Sequence, residues 1–192
     1  MRWATLAHIH LDRVASPWLV LRFVDTSAEF EFVEWGLDGA LPDPSRLELP
    51  EDSTPIGMPG AELSLHDENG SCFRKILDFY GLDCPALWRM ERIIAAGISD
   101  ALGLPRRVDE TEEERTLGIA LNLLGTALGV AFDDPQHLEH AIPLYDAVYE
   151  HCRMRELPVG VLAGAPSLPP LRIPYLREAL RSGVSNPTPQ DG

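Results

Sequence analysis

The clearest period in the chain is the two-residue alternation of "AEFEFVEW", Ala28 to Trp35, which predicts a strand with one apolar face. Before it, "TLAHIH" predicts a strand and "DRVASPWLVLRFVD" has apolar spacing compatible with a helix. Polar, proline-rich sequence follows from Asp38 to Thr54, and then "AELSLH" predicts a third short strand. From Ser71 onward the pattern turns helical. "SCFRKILDFYGL" is expected to end at Gly81 and "PALWRMERIIAAG" at Gly97, each glycine serving as a C-terminal cap. Thr111 and Glu114 have capping-box spacing before a helix whose Gly118, Asn122, Gly125 and Gly129 share one stripe. That stripe lets another backbone approach, and the approach is expected within the domain.

A last long helix is expected over "DPQHLEHAIPLYDAVYEHCRMREL", with Asp134 as cap, Pro135 at the first position, and Leu138, Ala141, Tyr145, Val148 and Cys152 facing inward. Beyond Pro158 the composition shifts to proline and glycine, with a short helix predicted at "PYLREALRS". The expected fold class is therefore α+β: a small N-terminal sheet with a packed helix, then a mainly α-helical bundle. Residues 1–158 form the domain in this reading, and residues 159–192 a proline-rich C-terminal extension.

Charge and composition narrow the function. Thirty acidic against sixteen basic residues give a net charge of −14, which repels phosphate backbones and anionic lipid. Neither direct nucleic-acid binding nor membrane binding is expected. The run "TLGIALNLLGTALGVAF" carries no charge, but its three glycines, its asparagine and its length favour a buried helix over a membrane span. Cys72, Cys84 and Cys152 lack CxxC spacing, which fits reduced thiols in a cytoplasmic protein. The sequence has no nucleophile elbow and no glycine-rich phosphate loop.

"MRWATLAHIHLDRVASPWLVLRFVD", "PIGMPGAEL" followed by His66, "GIALNLLG" and "LEHAIPLYDAVYEHC" together resemble the C-terminal domain of the chromate-resistance protein ChrB, in order, as far as about Arg153. The resemblance implies a place in chromate or metal stress. Longer members are described as chromate-responsive regulators with an additional N-terminal region implicated in DNA binding; this chain starts at the domain and is acidic, so that role is not carried over. Asp12, Arg13, Pro17, Trp18, Arg22, Phe23, Glu62, His66, Phe73, Gly118, Gly125, Glu139, His140, Tyr145 and Asp146 match the family pattern. Leu6 stands where an arginine is usual, Ser16 and Ser71 where cysteines are, Ile56 and Gly57 where an aromatic residue and aspartate are, Arg74 where an acid is, and Ile98 where an aspartate is. These departures remove thiols and carboxylates, the groups a redox or metal site uses.

Three sets of residues carry candidate chemistry. In "HIHLD", an extended backbone would project His8, His10 and Asp12 together as ligands for a divalent metal, zinc or iron, with His66 or water completing the shell. The alternative makes Asp12 a cap for the helix it precedes, or an arginine's partner. His66 is a candidate ligand or acid/base, against a plain role holding the "DENG" turn by hydrogen bonds, and Tyr145 is a second candidate catalytic group, against a buried phenol with a satisfied hydroxyl. Arg13 and Arg22, with Trp18 beside them, are candidates to bind an anionic substrate such as chromate, unless they pair internally with Glu29, Glu31 or Glu62. His137 and His140, at i, i+3, are read as surface or structural. A small ligand or metal ion is the expected partner, with a second copy of the chain as a further candidate. An enzyme using His66 and a structural or regulatory subunit are the alternative functions.

Overall fold

The computed structural model describes residues 1–36, 43 and 47–183. Three strands form one parallel sheet in the order β2-β1-β3, with β1 (Arg2–Leu6) between β2 (Glu29–Val33) and β3 (Ser53–Pro55). The register pairs Arg2 with Glu29 and Ser53, and Leu6 with Val33. Both faces of β1 are covered, as in parallel sheets generally. Its alternation divides two cores: Trp3 joins the main core, whereas Ala4 and Leu6 pack with Val33 and Met58.

The expected first strand lies too late in the chain, because left-handed backbone at His8 (φ 59°) ends the extended run. The expected strand over "AELSLH" is also absent. Only Leu63 makes a bridge, to Ile56, and β3 instead uses Ser53–Pro55, which pairs with β1. Pro55 is tolerated there because β3 is an edge strand.

Helix α1 (Asp12–Leu19) runs directly into a π-helical segment, Val20–Val24. Helix α2 (Cys72–Phe79) stops before Gly81, whose φ of 61° suits glycine. Helix α3 (Pro85–Ala101) passes through Gly97 rather than stopping there. A Cβ on Gly97 would lie 2.6 Å from the Gly118 carbonyl oxygen, so the glycine permits helix contact and does not act as a terminator. Gly103, with φ 64°, follows the actual end.

Helix α4 (Glu112–Ala131) has the capping box of Thr111 and Glu114 with both hydrogen bonds formed. Its glycine stripe faces the domain interior: Gly118 meets α3, Gly125 lies beside His10 and Gly129 beside His137. Helix α5 (Asp134–Arg155) is capped by Asp133, whose carboxylate accepts the Gln136 N–H, so the cap is one residue earlier than expected. Leu138, Ala141, Tyr145 and Cys152 are buried, together with Tyr149, while Val148 is half-buried. Beyond them, α6 (Val159–Gly164) and α7 (Pro169–Gly183) share a small apolar cluster of Leu157, Leu176 and Leu180. The architecture is α+β, as expected. No helix among the described residues is long and apolar enough to cross a membrane.

Candidate functional site

Between β1 and α1 the chain makes a turn, Ala7 to Leu11, in which two non-glycine residues, His8 and Leu11, have positive φ (59° and 47°). Such backbone is costly and persists only where the surroundings over-determine it. Here three side chains hold it. The Asp134 carboxylate accepts the N–H groups of His8 and Ile9 at 2.8 and 2.9 Å. Arg13 donates to the carbonyls of Ala7 and His8 at 3.2 and 3.1 Å. The Tyr145 hydroxyl donates to the Leu11 carbonyl at 2.9 Å.

This loop borders a cavity of about 700 Å³, bounded on the other sides by β2 and by the corner where α4 meets α5. His8 and His10 both line it, but differently. The His10 ring fits over Gly125, with Nε2 at 3.1 Å from both the Asn122 carbonyl and the Thr126 hydroxyl. His8 is half exposed, its Nε2 3.7 Å from Glu34. Among the described residues four carboxylates, Glu31, Glu34, Asp133 and Asp134, also line the cavity with Phe30, Phe32 and Phe132, and no lysine or arginine does. Arg2, outside the lining, pairs with Glu31.

Asp12 lies outside this cavity. Its Oδ2 accepts the Cys72 N–H at 2.8 Å, and its Oδ1 accepts the Phe73 N–H at 3.1 Å and the Ser16 hydroxyl at 3.2 Å. Ser71 takes the next free amide, that of Arg74, so the two side chains share the open N-terminus of α2. Asp12 therefore caps α2 from the first turn of α1, and does not cap its own helix. Burial pushes its pKa up, against the opposing pull of these amides, Ser16 and the neighbouring His66. The three residues of "HIHLD" thus go to three environments. Among the described residues no group of three or more His, Cys, Asp or Glu side chains is placed to hold a metal ion.

His66 is half-buried, and its Nδ1 has no hydrogen-bond partner among the described residues. It does not line the large cavity. The adjoining turn is held by Asp67, which binds the Asn69 N–H and Lys75 at 2.8 Å each. Tyr145 is fully committed by its bond to Leu11, and burial raises its phenol pKa further. Arg22 forms a bidentate pair with Asp146, at 2.8 and 2.7 Å, and the Trp18 indole N–H donates to the same carboxylate at 2.8 Å. Arg22 thus pairs internally, with a partner other than the three glutamates considered from sequence. Trp18 itself is buried against Phe23, Phe73 and Tyr149. Trp18, Arg22 and Asp146, all family-matched, fasten α1 and the π-helical segment that continues it to α5.

Sequence reasoning missed Asp134 as the anchor of the loop, and Glu34, Thr126 and Phe132 as cavity residues. One signal was present: "DDP" offers two acids where a helix cap needs one. Of the two readings offered for the pair, surface or structural, His137 takes the structural one. It is fully buried beside Gly129, whereas His140 is exposed and packs at a tilt against Phe132, the ring centroids 4.3 Å apart.

Residues 3–152 match the sequence profile described as ChrB, C-terminal domain. The chain is similar to Protein ChrB of Cupriavidus metallidurans, with 32% identity over 82 residues, covering 43% of this chain and 22% of that protein. The similar stretch therefore spans about a fifth of the relative's length. No solved structure matches. A profile matched across most of the chain places it plainly: it belongs to the ChrB C-terminal domain family.

Proposed function

We propose that this chain is a ligand-binding domain of a chromate or metal-stress response, and that its ligand is a small cation taken into the cavity beside His8 and His10. The observation that carries this reading is the charge of the lining: among the described residues, four carboxylates and no lysine or arginine border about 700 Å³. Low-dielectric walls lined by one sign of charge concentrate ions of the opposite sign. Phe30, Phe32 and Phe132 add aromatic surface that suits an organic cation. The same lining disfavours chromate, a dianion, and the arginines considered for it are engaged with Asp146 or with loop carbonyls. Direct coordination of a bare metal is less well supported, since no three-ligand group is formed among the described residues.

Titration calorimetry with spermidine, zinc and chromate as separate probes tests the reading. A cation should bind, more weakly at high salt, and Glu34→Gln should lower its affinity roughly tenfold through the lost charge. Chromate binding that disappears in a His8→Ala, His10→Ala variant, or no binding of either cation, would overturn it.

A further inference from the structure

Three arginines on α7 break the charge pattern of the chain. Acids outnumber bases thirty to sixteen, so a carboxylate partner is the rule for a cation. Among the described residues the other arginines pair with carboxylates, except Arg13, which donates to loop carbonyls. Arg172 and Arg177 have no ion pair among the described residues, and Arg172 reaches only the Pro166 carbonyl, at 3.5 Å. Arg181 meets Glu178 at 3.8 Å with both side chains exposed, where such a pair is worth little.

All three border a groove of about 660 Å³ between the end of α5 and α7. Its floor is apolar: Met154 from α5, and Pro169, Ile173, Leu176 and Leu180 from α7. Glu150, the one carboxylate among the described lining residues, is taken by Arg153, which donates to it at 2.8 and 3.0 Å. Helical spacing puts Arg172 on one flank of the apolar stripe, and Arg177 and Arg181, one turn apart, on the other. The groove shares no residue with the acidic cavity beside His8, and α7 lies beyond the stretch that matches the family.

We propose that this groove binds a free amphipathic anion, a long-chain carboxylate whose head is held by Arg177 and Arg181 and whose tail lies along Ile173 and Met154 toward Pro169. Charge complementarity selects the head: guanidinium groups receive a carboxylate through paired N–H donors, and these have no acid to satisfy them. The floor selects the tail. An apolar lining with a few convergent polar groups, in a volume of several hundred Å³, is the usual form of a small-molecule site. The stripe from Pro169 to Leu180 runs about 17 Å at roughly 1.5 Å per residue, enough for an extended chain of about twelve carbons at roughly 1.2 Å per bond. Net charge favours a single molecule over an anionic bilayer, because a bilayer faces the whole repelling surface whereas a monomer meets only the groove.

Titration calorimetry of the full chain with laurate, below its micelle concentration, tests the proposal. One laurate per chain should bind, the affinity should rise roughly threefold per methylene from octanoate to laurate, and the Met154 methyl resonance should shift. Arg177→Gln combined with Arg181→Gln should weaken laurate binding at least roughly tenfold. Both positions are exposed, so circular dichroism and melting should match the parent. Glu34→Gln should leave laurate affinity unchanged, which separates this groove from the cation cavity. No laurate binding at about 1 mM, equal binding of dodecylamine, or laurate binding indifferent to the double variant would overturn the proposal. Binding of phosphatidylglycerol vesicles that the double variant abolishes, without binding of monomeric laurate, would assign the arginines to a membrane surface and overturn it equally.

Discussion

Asp134 holds His8 by its backbone and leaves its imidazole free: the carboxylate accepts the His8 N–H at 2.8 Å, while the His8 ring turns toward Glu34. The first turn of α5 thereby fixes a left-handed residue at the edge of the cavity. Asp134→Ala removes both acceptors and should cost about 2 kcal/mol, the usual range for hydrogen bonds to a charged group. Urea unfolding measures the loss. Amide exchange at His8 and Ile9 should accelerate before the rest of the protein does, and equal acceleration throughout would refute a local anchor.

Asp12 should be far less replaceable than its place in a metal-like motif implies. Asp12→Ala strands the Cys72 and Phe73 amides in the interior and should cost roughly 3 kcal/mol. Asp12→Asn, keeping one acceptor, should cost less. Denaturation at pH 7 ranks the two.

The carboxylates of Asp12 and Asp146 predict opposite pH slopes. Burial raises the folded pKa of Asp12 above its ordinary 3.8, so the folded chain holds the proton longer than the unfolded one. Its contribution therefore falls as pH rises from 3.8 through the raised value. Hydrogen bonds from Arg22, and then from Trp18, lower the pKa of Asp146 despite partial burial. That contribution is fully present above 3.8 and is lost as pH falls through the depressed value. Stability profiles of Asp12→Asn and Asp146→Asn should lose these two slopes separately. An unchanged profile in either variant would contradict its assignment.

Glycines 97 and 118 should tolerate nothing larger. A Cβ on Gly118 would lie 2.5 Å from the Ile93 carbonyl oxygen and 2.6 Å from the Gly97 nitrogen, and neither backbone atom can step aside. Gly118→Ala should cost about 3 kcal/mol or more by forcing α3 and α4 apart. Gly129→Ala, whose nearest neighbour is the His137 ring at 3.4 Å, should cost under roughly 1 kcal/mol. Melting temperatures of the pair measure the difference.

His137 predicts a gain. Neither ring nitrogen has a hydrogen-bond partner among the described residues, and burial lowers the imidazole pKa below the ordinary 6.5. As pH falls below 6.5 the unfolded chain takes up a proton that the folded one resists, so stability is lost on acidification. His137→Leu removes two unsatisfied nitrogens and should add about 1 kcal/mol at pH 7, and more at pH 5.5. Urea midpoints at the two pH values test both the sign and the trend.

What the sequence reveals here is what neighbouring residues settle among themselves. The alternation of "AEFEFVEW", the Thr111–Glu114 capping box and the inward face of α5 all depend on residues a few positions apart, and all are found in the fold. Gly97 misleads because its reason for being glycine is Gly118, on another helix. Asp12 and Asp134 mislead in the same way. Each has the local position of a helix cap, while the backbone amides its carboxylate accepts lie 60 or more positions away. "HIHLD" reads as one face only if the strand continues. The left-handed His8 that breaks it is imposed from α5, which no local pattern encodes.

The central position of β1 bears on how the chain is made. Within the domain the strand is synthesised before its partners: it has no sheet partner until residues 29–33 exist, and no second one until residues 53–55. The loop after it waits longer still, for Asp134 and then Tyr145. Most of the domain must leave the ribosome before its N-terminus can fold, and until then an unpaired apolar strand is exposed to chaperones and to aggregation. Failures of this domain in expression should therefore track changes at the start of α5 as closely as changes in β1 itself.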